Sequence, residues 1–339
     1  MRAPSIIVAS LSCSILVPVS PAPRSGRTES SSPGGDRIAL ASRRDGNWEI
    51  YTMEADGSRS QRLTHNDVQD RFPIWSPDGR KMLFGSQRAG GWELRVMNVD
   101  GSGETVLATR LAAKSARGWS PDGRQIVFER SIAGKGAIYT VRPDGSELTR
   151  LGADGIDERN PTWSPDGRTI AFVSARDGNR EIYLMNADGS GQTRLTTNSA
   201  SDDGPVWSPD GTQLVFWSER DGNRELYLVS RDGKRLRRLT NDPAKDQTPV
   251  WSPDGSRIAF EAVRDRNWDI EVVRVSDGAR TRLTDAPEYD LAPRWSRDGT
   301  RLAYLGTRDG TDALWTMRGD GSDVRRLTTE PALDPRWSP

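Results

Sequence analysis

One histidine, His65, and one cysteine, Cys13, serve the whole chain of 339 residues. A Ser-His-Asp nucleophile would have to be built on His65, which follows Leu63-Thr64, and no GxSxG elbow presents a serine. A single histidine cannot assemble a histidine-ligated transition-metal centre. Cys13 lies in the first apolar segment, so the chain beyond it contains no thiol and needs no disulfide in an oxidising compartment. Charge of one sign is missing too. Lys+Arg and Asp+Glu both count 48, for a net charge of zero, which argues against nucleic-acid binding by phosphate neutralisation. Apolar residues make up only 34%, so any core must be shared among many small units. No apolar 3.6-residue period survives long enough for a helix, because Gly or Pro interrupts it every 8 to 12 residues.

Residues 1–22 read as a signal peptide: Arg2 precedes Ile6-Ile7-Val8-Ala9 and Ile15-Leu16-Val17, a stretch too short and interrupted for a membrane span. This predicts a periplasmic or secreted protein without a transmembrane span. Lipid attachment at Cys13 is the weaker reading, because Ser10-Leu11-Ser12-Cys13 puts serine where lipoprotein signals usually have leucine. Residues 23–35, rich in Ser, Pro, Gly and Arg, read as a flexible linker to a domain over 36–339.

Seven tryptophans set the period. Trp75, Trp119, Trp163, Trp207, Trp251 and Trp295 are each 44 residues apart, Trp337 follows 42 later, and five of the seven open WSPDG in full. The copy at Pro161 runs PTWS, PDG, RTIAFVS, ARDGN, REIYLMN, ADGSG, QTRLT: four short runs separated by Asp-Gly turns, an antiparallel four-stranded meander. Repeats of this length are propeller blades. The second-strand motif occurs seven times from Arg37 onward, the first copy has no tryptophan strand before it, and the last tryptophan strand has no second strand after it. The expected fold is therefore an all-β, seven-bladed propeller in which the C-terminal strand, Pro335-Ser338, completes the N-terminal blade and removes the open sheet edge.

WSPDG followed by IAF, RDGN, EIY, DGS and RLT resembles the repeat of the TolB family of propellers over about residues 36–339. The resemblance implies the fold. TolB proper, a periplasmic protein, has a small α/β domain before six blades and binds outer-membrane lipoproteins and other envelope proteins. The blade count here departs from that pattern, so those partners are not carried over.

Charged residues recur at fixed offsets from tryptophan. Five before it stand Asp70, Lys114, Glu158, Asp202, Asp246 and Asp290, with Asp334 in the shorter last loop. Thirteen after it stand Arg88, Ile132, Arg176, Arg220, Arg264 and Arg308, with Arg44 in the first blade. The acids read in two ways: as a carboxylate ring able to hold a hard cation at the channel mouth, or as partners of the arginines, fastening loops to strands. The pairing reading is favoured, because the blade of Trp119 loses acid, arginine and third-strand acid together, as Lys114, Ile132 and Ala137. That blade also has Arg117 where the others place proline. The candidate binding residues are accordingly Lys114 and Arg117, with the ring acids Asp70, Glu158, Asp202, Asp246 and Asp290. Trp48, Trp92 and Trp268 vary between blades at third-strand starts and are further ligand-facing candidates. The Asp-Gly-Ser turns lack the ligand pattern of a calcium loop.

These readings predict a non-enzymatic extracytoplasmic binding protein, monomeric and without cofactor or bound metal, whose partner is an envelope protein or a small ligand. The alternative is a carbohydrate- or ester-processing enzyme with a carboxylate or cation site at the channel mouth.

Overall fold

Alternating apolar strands joined by Asp-Gly turns fold into seven four-stranded antiparallel sheets. The computed structural model describes residues 36–111 and 117–339, with Arg117 described in its backbone alone. The expected signal peptide and linker lie outside the described residues. Numbered in chain order, the strands run from β1 (Arg37–Ser42), β2 (Glu49–Glu54) and β3 (Gln61–Arg62) to β28 (Ala332–Trp337). The innermost strands are β4 (Asp70–Trp75), β8 (Arg117–Trp119), β12 (Glu158–Trp163), β16 (Asp202–Trp207), β20 (Lys245–Trp251), β24 (Asp290–Trp295) and β28.

Ring closure is as the orphan strands predict. One sheet has the order β28-β1-β2-β3, with Ile38 opposite Trp337 and Ser42 opposite Ala332. The closing strand begins at Ala332 rather than Pro335, because a bulge lets the chain pair on both sides of an irregularity opposite Ala39 and Ala41.

Each apolar cluster lies between two blades. Val206, Val215 and Leu226 of one sheet meet Trp251, Ile258 and Phe260 of the next, and Leu40, Tyr51 and Met53 close the ring against Ala303 and Leu314. The tryptophans staple neighbours together. The indole Nε1 of Trp75, Trp119, Trp207, Trp251, Trp295 and Trp337 donates to a backbone carbonyl of the preceding innermost strand, as in Trp251 to Val206 at 3.1 Å and Trp337 to Arg294 at 3.0 Å. Burial of a large ring together with its one donor explains why tryptophan recurs here.

The WSPDG turn aims the strand that follows. Ser76 Oγ donates to Asp78 Oδ1 at 2.6 Å and accepts from Lys81 N at 2.8 Å, while Gly79 takes a φ of 69°, which glycine adopts without strain.

A second device is invisible as a motif. Three residues before each innermost-strand tryptophan other than Trp119, the backbone turns left-handed: Phe72, Asn160, Gly204, Thr248, Ala292 and Asp334 have φ between 53° and 64°. The ladder slips there, as between Arg71 and Ile74, so one N–H per innermost strand is released from the sheet.

Candidate functional site

The expected ring acids stand at the starts of the innermost strands, Asp246 one residue in, and are fully buried: Asp70, Glu158, Asp202, Asp246 and Asp290 each have 0% exposure. Pairing with the arginine of the same blade occurs in three of them. Arg176 reaches Glu158, Arg220 lies 2.7 Å from Asp202, and Arg308 lies 3.1 Å from Asp290. Asp70 instead accepts from Ser86 Oγ and Asn66 Nδ2, while Arg88 turns towards Glu104 at 4.0 Å. The third-strand acids are held alike, Glu181 by Arg194 at 2.8 Å and Glu225 by Arg238 at 2.9 Å. Burial pushes the carboxyls of Asp70, Glu158, Asp202 and Asp290 above their ordinary range despite these donors.

Blade Trp251 departs from the pattern. Glu271 occupies the third-strand position that holds Tyr51, Tyr183 and Tyr227 elsewhere, and it is buried. Arg264 turns to it and to Asp242, at 2.9 Å from the latter. Arg280, from the outermost strand, takes the vacated seat over Phe260 and pairs with Asp246 at 2.9 Å, Asp242 at 2.7 Å and Glu271 at 2.7 Å. Three carboxylates thus share two guanidiniums. Burial, reinforced by Asp242 and Glu225, pushes the Asp246 carboxyl up to about 7 against the pull of Arg280.

Two buried glutamates were not among the sequence candidates. Glu129 and Glu261, each ten residues after a tryptophan, accept the N–H released by the next blade's bulge: Asn160 N at 3.2 Å and Ala292 N at 2.9 Å. A glutamate inside the apolar runs IVFER and IAFEAV was the available signal. Burial raises both, Glu129 to about 6, with Asp157 and Asp203 adding repulsion. A raised folded pKa means that the folded chain holds a proton which the unfolded chain has lost, so stability falls as pH rises towards 6. Glu129→Gln should flatten that slope by about 2 kcal/mol. Thermal melts of parent and variant at about pH 5 and pH 7 check it; an unchanged slope would rule out Glu129 as its source.

Lys114 lies outside the described residues, as does the side chain of Arg117, whose backbone opens β8. The varying tryptophans are half-buried and gather partners. Arg71 sits over Trp48 at 5.3 Å and over Phe72 at 4.8 Å, Phe72 tilts onto Trp92 at 5.6 Å, and Trp268 meets Tyr289 edge-on at 4.9 Å. Arg71 also faces Asp334 of β28 across 3.7 Å. Among the described residues no group of three or more His, Cys, Asp or Glu side chains is arranged to hold a metal ion, and no helix is long and apolar enough to cross a membrane.

Seven radially stacked sheets, joined by six tryptophan staples, define a β-propeller of the WSPDG type. The sequence matches the TolB beta propeller domain over residues 1–159, 157–249 and 240–339, and the chain belongs to that family. No curated protein matches the sequence. Among solved structures, TolB from Acinetobacter baumannii is 19% identical with a TM-score of 0.59, covering 89% of this chain and 82% of that one. An oligogalacturonate lyase in complex with manganese is 19% identical with a TM-score of 0.69, covering 83% and 85%. A puromycin-hydrolyzing peptidase from Mycobacterium tuberculosis is 18% identical with a TM-score of 0.70, covering 90% of this chain but 54% of its own. At these identities the likeness is one of fold.

Proposed function

We propose that the protein is a non-enzymatic binding module of the extracytoplasmic envelope, which engages a protein partner through the inner-strand surface of the first two blades. The observation that carries this reading is the Trp48, Arg71, Phe72 and Trp92 group. Aromatic rings and arginine on rigid strands are what protein interfaces use as anchors, whereas the ring carboxylates are buried among their own chain's donors. Membership of the TolB propeller family supports the reading, and the signal-peptide character of residues 1–22 supports the location. No cofactor is invoked.

The test is capture from envelope extract by the parent chain beside Arg71→Ala and Lys114→Asp/Arg117→Pro variants. A partner held by the parent and weakened at least ~10-fold by Arg71→Ala is expected; equal capture by both moves the interface elsewhere. A second reading, an enzyme working on carbohydrate or ester at the channel mouth, draws on Glu129, whose carboxyl near 6 suits acid-base work. Chelator-sensitive turnover of polysaccharide would favour it over the binding module.

A further inference from the structure

Two arginines beside the closing seam lack the carboxylates that their equivalents hold. In the blades of Trp163 and Trp207, Arg176 and Arg220 stand over Tyr183 and Tyr227 at 4.6 and 4.7 Å. Each gives its Nε to a serine, Ser174 or Ser218, at 2.9 Å, and each holds the acid that opens the innermost strand. Arg44 copies this seat, over Tyr51 at 4.6 Å with Nε on Ser42 Oγ at 3.3 Å. The innermost strand of its blade is β28, however, and the position of the acid is taken by buried Ala332. Arg44 Nη1 turns to Ser60 Oγ at 2.8 Å instead.

The second arginine is stranded for a different reason. Arg62, Arg194, Arg238 and Arg282 pair with third-strand acids Glu49, Glu181, Glu225 and Asp269 at 2.8 to 3.0 Å. In the last blade the acid stands one place early, as Asp312, where it accepts from Thr307 Oγ1, and buried Ala313 fills the usual position. Arg326 is left donating to the carbonyls of Thr328 and Thr329 at 2.7 and 3.2 Å. Among the described residues neither Arg44 nor Arg326 forms an ion pair.

Both arginines line one cavity of about 240 Å³, walled by Met53 and Leu327 and edged by the Thr328–Glu330 loop. Glu330 is the one acid on that edge, and its Oε1 accepts from Thr329 Oγ1 at 2.9 Å. We propose that this cavity between the first and last blades binds a short dicarboxylate, its two carboxylates taking the places against Arg44 and Arg326 that the chain's own acids fill in other blades. Guanidinium forks match carboxylates in geometry as well as charge, and a small, half-open cleft with an apolar wall suits the methylene spacer. The site does not depend on the partner-binding reading.

The test is calorimetric titration of glutarate into the full chain, with acetate and inorganic phosphate in parallel. Glutarate should bind at least ~10-fold more tightly than either, because it engages both arginines at once. Arg44→Gln and Arg326→Gln should each weaken it at least ~10-fold. Ala313→Glu returns to Arg326 the carboxylate found in four other blades, so it should abolish glutarate binding while the melting temperature is kept or raised. This variant keeps the test decisive where an arginine replacement fails to fold. Absence of glutarate binding at millimolar concentration, binding unchanged in Ala313→Glu, or phosphate binding as tight as glutarate would each overturn the proposal.

Discussion

Deletion of residues 332–339 is expected to abolish the cooperative thermal transition and drive the chain into aggregates. These residues supply the innermost strand of the first blade, with Ala332 buried in the closing cluster and Trp337 packed against it. They also supply two staples, the carbonyl of Arg336 that accepts from Trp75 and the indole of Trp337 that donates to Arg294. Without them β1 becomes an unpaired edge made of the apolar run RIALAS, and the clusters on both sides of the blade open to water. The loss is of the order of a whole domain's stability, about 5–15 kcal/mol. Size-exclusion chromatography and a thermal melt of the deleted chain check it. A variant that elutes and melts like the parent would show that closure does not hold the ring together.

The second large effect is on pH. The Asp246 carboxyl, fully buried and pushed up to about 7, is protonated in the folded chain over an interval in which the unfolded chain has already ionised it. Its contribution is therefore intact at low pH and is lost as pH rises through about 7, with a total of about 4 kcal/mol from the shift. Asp246→Asn should remove most of that slope in urea titrations between about pH 5 and pH 8. Arg280→Leu should act in the opposite sense, because it strips the guanidinium from Asp246, Asp242 and Glu271 together and leaves buried charge uncompensated. It should cost about 3–5 kcal/mol at neutral pH. A parent whose stability is flat across this range would exclude Asp246 as a titrating group.

The ring was legible in the sequence because one tryptophan per repeat reports both the period and the innermost strand, and because two orphan strands can complete only one blade. The inner-strand bulge was not. It falls on Phe72, Asn160, Thr248, Ala292 and Asp334 as well as Gly204, so no common residue type marks the left-handed position. The pairing of ring acids with arginines was legible where the blade keeps its consensus, at Asp202 and Arg220. It failed where one substitution redirects another. Glu271 in place of tyrosine draws Arg264 away, and Arg280 arrives from an outer strand whose equivalents are Gln192 and Leu236. Fixed offsets within a repeat cannot express such an exchange, since it depends on which side chain is long enough to reach the empty seat. Trp48 and Trp92 stood out as varying positions, but their grouping with Arg71 and Phe72 escaped for a related reason: its members come from two blades, and only ring closure brings β28 and β4 side by side.

Outside the blade of Trp163, the indole staples tie each blade to the carbonyl of the one before it, and the seam between last and first is stapled in the same way as the others. Ser338 and Arg37 exchange hydrogen bonds at 2.8 and 3.1 Å, so the two ends of the propeller meet. Where the chain is cut is therefore a matter of gene order rather than of mechanics. A short linker joining residue 339 to residue 36, with new ends opened in an exposed turn such as Asp188-Gly189-Ser190, would yield a permuted protein with the same seven blades.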